Sequence, residues 1–504
     1  MPDYSRIRCQ ALHSKIMSAE DAAALIQPGS NVGMSGFTGA GYPKAVPLAL
    51  AKRIMDANLE GRKFKIGVWT GASTAPELDA ALAMVDGVEL RLPYQSDAVS
   101  RKKINAGEME YLDMHLSHVA QYVRQGFLGK LDIALIEVTA IREDGALVLS
   151  SSVGNNLTWV ETADKVILEV NAWQSEKLEG MHDLFRDGDV PNRQPIPLVH
   201  PSDRIGSHTL TCPPGKILAI VPTNAPDRNT PFAEPDDASR RIAGHIMEFL
   251  THEVNKGRVP RNLLPLQSGV GNVANAVMQG LDQGPFENLT AYTEVIQDGM
   301  ISLMDSGKLT AVSATAFSLS PAAVDQMNAR MEDYRHQIVL RPQEISNHPG
   351  IIRRLGVLAM NGLIEADIYG NVNSTHVMGS KIQNGIGGSG DFARNAFISI
   401  FMTPSTAKKG AISCIVPMVS HVDHTEHDVQ VIVTEQGLAD LRGLSPKVRA
   451  KQVIEHCAHP DFRPALREYY RRALELSPGK QTPHLLEEVF EWHTRYLRKG
   501  TMKA

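Results

Sequence analysis

Asn31-Val-Gly-Met-Ser-Gly-Phe-Thr-Gly-Ala-Gly-Tyr-Pro43 reads as a strand that runs into a glycine turn and then a helix. Residues 31–35 start the strand, Gly36 to Gly41 make the turn, and the helix begins at about Pro43, a residue suited to a first turn. Residues 19–27 form a helical pattern ahead of it, and strand-like runs follow at 64–70, 131–138, 166–170 and 217–221, with helical patterns between several of them. Strands alternating with helices imply a mostly parallel sheet covered on both faces.

At 504 residues the chain exceeds what one core holds, roughly 250–300 residues, so two large domains are expected. Residues 223–237, Thr-Asn-Ala-Pro-Asp-Arg-Asn-Thr-Pro-Phe-Ala-Glu-Pro-Asp-Asp, mark the break. This gives an N-terminal domain over 1–225 and a C-terminal one over 226–504. In the second, helices at 238–255, 272–281 and from 298 alternate with strands at 263–267, 289–293, 309–314, 338–341, 365–369, 412–418 and 429–433. From Pro446 onward the chain is helical and charged. The fold class is α/β: two open, mostly parallel-sheet domains of similar architecture with a C-terminal helical extension.

A net charge of −5 gives no reason to expect nucleic acid or an anionic membrane as partner. Cys9, Cys212, Cys414 and Cys457 are far apart without a Cys-x-x-Cys, as reduced thiols would be. The first residues lack the apolar segment of a secretory signal, and no run of about 18 apolar residues spans a membrane. A cytoplasmic protein is expected; the basic, acid-poor start leaves a mitochondrial presequence open for a eukaryotic source.

Three segments invite chemistry. Gly269-Val-Gly-Asn-Val-Ala274 follows a strand and opens a helix, like half of a dinucleotide fingerprint, but no acidic strand end near residue 290 completes it. A glycine turn at a helix start still offers N–H groups to an anion. Asn384-Gly-Ile-Gly-Gly-Ser-Gly-Asp-Phe-Ala-Arg394 lets backbone approach a ligand closely, before a helix capped by Ser389 or Asp391. In Tyr292-Thr-Glu-Val-Ile-Gln-Asp-Gly299, an apolar strand ends at Glu294, where ligands gather in open α/β sheets.

With Ser35-Gly-Phe-Thr-Gly-Ala-Gly-Tyr-Pro-Lys44, Leu264-Pro-Leu-Gln-Ser-Gly-Val-Gly-Asn-Val273 and Thr434-Glu-Gln-Gly-Leu-Ala-Asp-Leu-Arg-Gly443, these segments make the chain resemble the acetyl-CoA hydrolase/transferase family, of class I CoA-transferase type. The likeness runs toward its succinyl-CoA:acetate transferases and also its propionyl-CoA:succinate enzymes. It implies that Glu294 carries coenzyme A as a thioester, with backbone donors at Val270 and Gly388 forming the oxyanion hole. It places CoA contacts at Gln267, Ser268, Gly269, Val270, Gly271, Ile364, Asn384, Gly388 and Lys408, and a carboxylate site at Arg228, Asn347 and Glu435. The substrates implied are an acyl-CoA and a small carboxylate. CoA is a substrate, no resident cofactor or metal is called for, and a homodimer is expected.

A glutamate of ordinary pKa is ionised at neutral pH and attacks without a base. Its attack on the acyl-CoA gives an anhydride and CoA thiolate; the thiolate then forms the glutamyl thioester, and a second carboxylate reverses the sequence in ping-pong order. Water is the competitor, so a hydrolase using the same glutamate is the rival reading. A non-catalytic CoA- or nucleotide-binding protein is a third.

Other signals carry less. Ser420-His-Val-Asp-His-Thr-Glu-His-Asp428 has the look of a metal site but matches no closed zinc spacing, and reads as a polar loop. Arg353-Arg354 could reach a phosphate or carboxylate but reads first as a solvated or salt-bridged helix face, and no Gly-x-Ser-x-Gly elbow suggests a serine thioesterase. Glu435, also at a strand end, is the rival nucleophile.

Overall fold

The computed structural model describes residues 4–228 and 234–504. The chain forms two compact units that interleave in sequence. The first takes Met1–Pro231, Ala291–Ile301 and Thr310–Ile351; the second takes Phe232–Thr290, Ser302–Leu309 and Ile352–Ala504. Residues 229–233 of the expected break lie outside the described residues. Glu294 falls in the first unit, although it follows that break in sequence.

The first unit is built on strands β1 (Asn31–Met34), β2 (Ile66–Trp69), β3 (Val88–Leu92), β4 (Glu110–Tyr111), β5 (Ile133–Ile141), β6 (Leu147–Leu149), β7 (Lys165–Asn171) and β8 (Ile217–Thr223). Their order is β4-β3-β2-β1-β5-β7-β8, all parallel, with β6 antiparallel on β5. All residues of β5 are buried, as a strand covered on both faces requires. Strand order reverses between β1 and β5, and the Gly36–Gly41 turn leaves the carboxyl end of β1 at that crevice, the usual place for a ligand.

The following helix is Ala45–Leu59, so Pro43 precedes its Lys44 cap instead of occupying the first turn. Its first N–H groups are satisfied by a buried carboxylate from β7: Glu169 accepts from the N–H of Lys44 at 2.8 Å, Ala45 at 3.0 Å and Val46 at 2.6 Å. Negative charge at a helix N-terminus is favourable. Burial nevertheless raises the Glu169 pKa, with the three N–H donors opposing.

In the second unit the strands Leu266–Ser268, Leu358–Gly362, Ile398–Met402 and Val431–Thr434 lie side by side in parallel, and Gly437–Asp440 adds an antiparallel edge. The expected strand at 412–418 is instead two short pieces, Ile412–Ser413 and Ile415–Val416, because Ser413 turns its hydroxyl onto Ile415 O and breaks the run. The C-terminal region is helical, with Pro446–Cys457, Arg463–Leu476 and Glu491–Lys499. These helices bury Val453, Ile454, Leu466, Tyr470 and Trp492 in one core with Val416, Ile432 and Phe401 of the strands. No helix among the described residues is long and apolar enough to cross a membrane.

Candidate active site

Glu294 stands in the two-residue gap between the strands Leu289–Tyr292 and Val295–Gln297 and is half-buried. Thr315 N and Ala316 N both donate to its carbonyl oxygen, at 2.9 and 3.2 Å. Val295 pairs with Ala316 in parallel register and is buried with Phe37, Ala72 and Leu116, with Tyr94 packed against them. These residues come from the carboxyl ends of β1, β2 and β3 and from the stretch that follows β4. Burial, helped by the carboxylates of Asp113 and Glu294 and opposed by Arg101, pushes the Tyr94 phenol up to about 12.

The backbone around this cluster is close-packed. A Cβ on Gly71 would lie 2.9 Å from both Gly36 O and Phe37 Cδ2, and 3.2 Å from Gln343 Oε1. Gln343 donates to Leu116 O at 3.0 Å, while its Oε1 has no partner among the described residues. It opens the short helix Gln343–Ser346, which ends at Asn347. Asn347 is fully buried; its Oδ1 accepts from Ser346 Oγ at 3.0 Å and its Nδ2 has no partner among the described residues. A buried idle amide donor is costly unless something else uses it. Arg228, by contrast, is mostly exposed and pairs with Glu77.

The second unit gathers most of the remaining expected residues at the carboxyl edge of its parallel strands. Leu266–Ser268 ends in Gly269, whose N–H donates to Met360 O at 2.9 Å, and Gly271 (φ 122°) caps the helix Asn272–Gln283. Gln267 is buried, exchanging hydrogen bonds with the Asn361 amide at 3.1 and 3.2 Å. Ser268 Oγ donates to Gly269 O at 3.1 Å, and Val270 is 55% exposed. Ile364 follows the next strand, its N–H on Asn373 O at 2.9 Å.

Gly388 is the N-cap of the helix Ser389–Asn395, which packs on the strands Leu358–Gly362 and Ile398–Met402. Neither Ser389 nor Asp391 caps it, contrary to expectation: the helix starts at Ser389, whose hydroxyl points back to Ile386 O at 2.7 Å. Asn384 Nδ2 donates to Ser374 O at 3.1 Å and Gly385 O at 2.9 Å. Lys408 and Lys409 form an exposed hairpin tip between Thr406–Ala407 and Ile412–Ser413, both at positive φ.

Glu435 ends Val431–Thr434 and is held by three donors: Ser405 N at 2.7 Å, Ser405 Oγ, and Gln436 Nε2 at 2.8 Å. Burial opposes ionisation, but these donors outweigh it and lower the pKa. A carboxylate tied down in this way is a weak nucleophile and a good fixture. Among the described residues no group of three or more His, Cys, Asp or Glu could hold a metal ion, the 420–428 segment included.

Residues 2–193 match the acetyl-CoA hydrolase/transferase N-terminal domain, and residues 324–470 match its C-terminal domain. A succinyl-CoA:acetate CoA-transferase of Clostridium kluyveri is 52% identical over 99% of this chain and 92% of that protein. The chain belongs to the acetyl-CoA hydrolase/transferase family. Two further members are a propanoyl-CoA:succinate CoA transferase of Escherichia coli, 45% identical over 96% of this chain and 98% of that one, and an acetyl-CoA hydrolase of Schizosaccharomyces pombe, 45% identical over 99% and 98%. In fold the chain is similar to RipA of Yersinia pestis (TM-score 0.71, 24% identity, covering 92% of this chain and 98% of that one). It is also similar to a 4-hydroxybutyrate CoA-transferase of Porphyromonas gingivalis (TM-score 0.64, 23% identity, 93% and 100%).

Tyr94, Gln343 and the buried cluster around Lys44 carry no mark in the sequence of this family member. Tyr94 follows the strand Val88–Leu92, and Gln343 opens the helix Gln343–Ser346; both lie outside every element expected from the sequence. No local pattern marks either one.

Proposed function

We propose that this family member is a CoA-transferase that moves CoA between an acyl-CoA, succinyl-CoA first, and a small carboxylate such as acetate. The observation that carries the reading is Glu294: a half-buried carboxylate just past a strand's end, its main chain pinned by two N–H donors and its neighbour Val295 locked in a packed cluster. The 52% identity to a protein named as a succinyl-CoA:acetate CoA-transferase supports the choice of substrates.

In this reading the Glu294 carboxylate attacks the thioester carbonyl, and the C–S bond breaks to release CoA thiolate and leave a mixed anhydride. The thiolate attacks the glutamyl carbonyl, the C–O bond breaks, and the first acid departs. Glu294 now carries CoA as a thioester, and acetate runs the steps backward. Each tetrahedral state carries an oxyanion, and one fixed donor is worth about 2.7–4 kcal/mol in such a site. The N–H groups of Val270 and Gly388 are assigned to that work. Gln267, Ser268, Gly269, Gly271, Ile364, Asn384 and Lys408 are assigned to CoA, and Arg228, Asn347 and Glu435 to the carboxylate. CoA enters as a substrate; a thioester has a good enough leaving group that no metal or resident cofactor is needed. The same reading makes the enzyme a cytoplasmic homodimer.

Intact-mass analysis after mixing with succinyl-CoA tests it: a CoA adduct forms, and Glu294→Ala abolishes the adduct. A protein that never gains CoA mass rejects the mechanism. The second reading, hydrolysis at the same glutamate, is favoured by the relatives named acetyl-CoA hydrolase. Equal CoA release with and without acetate would select it.

A further inference from the structure

The Ser420–Asp428 segment has no part in this chemistry, yet it is tied to the 384–389 turn. His424 is buried, 2% exposed, with its ring on Phe401 at a centroid distance of 4.7 Å. Its main chain is fixed by Val372, which donates to His424 O at 2.8 Å and accepts from His424 N at 3.0 Å. Its Nε2 lies 3.1 Å from Ser389 Oγ and 3.4 Å from Ser374 Oγ. Ser389 uses its one hydroxyl proton on Ile386 O, so its oxygen accepts from His424 Nε2–H.

The other end of the turn is held from the preceding residue. Asp423 accepts from Ser374 N at 2.7 Å and Thr375 Oγ1 at 2.9 Å. Ser374 O in turn accepts from Asn384 Nδ2 at 3.1 Å. Adjacent residues, Asp423 and His424, thus anchor Asn384 and Ser389. Between those anchors stand Gly385, Gly387 (φ 59°) and Gly388, which have no side chains to hold the turn in shape. Glycine backbone has the most freedom to lose, so a turn rich in it needs external anchors to present donors in one geometry.

We infer that His424 is a positioning residue for the acyl-CoA, acting through Ser389 to set the turn that carries Asn384 and Gly388. The inference rests on the proposed role of that turn in holding CoA. Steady-state kinetics with succinyl-CoA and acetate, on the full chain carrying His424→Leu, His424→Gln, Ser389→Ala or the Leu/Ala pair, test it. Losing the bond to Ser389 should lower kcat/KM for succinyl-CoA about tenfold in His424→Leu, and by at least as much in Ser389→Ala, which also gives up its bond to Ile386 O, through KM, with the KM for acetate unmoved. Gln, whose amide N–H reaches where Nε2 stood, should recover to within about threefold, and the double variant should be no worse than Ser389→Ala alone. An unchanged KM in Ser389→Ala, Gln no better than Leu, or additive losses in the pair overturn the inference. If His424→Leu does not fold, His424→Ala takes its place in the comparison with Gln and with the pair. Those failures leave the transferase reading standing when the wild type still gains CoA mass. A wild type that gains none sinks both.

Discussion

Glu294 and Thr315 are joined main chain to main chain: Thr315 N donates to Glu294 O at 2.9 Å, and Ala316 N adds a second bond at 3.2 Å. The backbone of the proposed nucleophile is therefore held independently of its side chain. Glu294→Gln keeps the shape and removes the charge. Its stability should stay within about 1 kcal/mol of wild type, while kcat falls by roughly a thousandfold or more. Chemical denaturation and turnover on one preparation check both halves. Residual turnover at a tenth of wild type would move the nucleophile elsewhere, with Glu435 next in line.

Lys44 predicts a loss of folding instead of chemistry. Its ammonium reaches Asp227 at 2.9 Å, Glu137, and Tyr42 O at 2.9 Å, and all three charged side chains are at most 5% exposed. Burial works against the charged ammonium, but Asp227 and Glu137 outweigh it and raise its pKa. Lys44→Met leaves two buried carboxylates facing each other. Removing one partner of a buried pair typically costs about 3–5 kcal/mol. Urea unfolding should show that loss, or the variant should fail to accumulate as folded protein. A midpoint near wild type would mean that water already reaches the cluster.

The parallel-sheet architecture is legible in the sequence because runs such as Ile133–Ile141 are almost wholly apolar, as strands buried on both faces must be. Val88–Leu92 is not, since Val-Glu-Leu-Arg-Leu looks like a half-exposed strand or a helix turn. Arg91 is in fact buried, paired at 2.9 Å with Asp79, and nothing local announces that pairing. Leu358–Gly362 also escapes, its Asn-Gly end reading as a turn. Ile398–Met402 is a short apolar run of the kind that periodicity cannot assign. In the site, Glu294 and the glycine turns stand out by motif. Lys44 and Asp227, 183 residues apart, become partners only through the fold, as do Ser389 and His424, 35 apart.

His182 sets a pH dependence of stability. It is fully buried, donating Nε2–H to Ser150 O at 3.0 Å, and burial lowers its pKa from 6.5 to about 4. Below pH 6.5 the unfolded chain protonates this histidine and the folded one does not, so the unfolded state binds more protons and stability falls with pH. The loss runs from about pH 6.5 to about 4 and totals on the order of 3 kcal/mol. His182→Gln keeps a donor and removes the titration. Denaturation midpoints at pH 7, 6 and 5 should fall less steeply in this variant. Parallel slopes would show that His182 protonates freely in the folded protein.

Asn347 separates catalysis from stability. Its Oδ1 is engaged by Ser346 Oγ, and Ser346 also bonds Gln343 O at 3.4 Å, so the hydroxyl retains an acceptor when the amide is removed. Its Nδ2 is buried and idle among the described residues, which makes it a cost to the free protein that a substrate oxygen would relieve. Asn347→Ala should therefore lose little stability, about 1 kcal/mol or less, as the idle donor offsets part of the lost packing. If Nδ2 holds the substrate carboxylate, kcat/KM for acetate should fall by roughly ten- to a hundredfold. Turnover measured beside a urea titration decides the matter: a large drop in stability with kcat/KM per folded molecule unchanged would make Asn347 a structural cap and leave the carboxylate to Arg228 and Glu435.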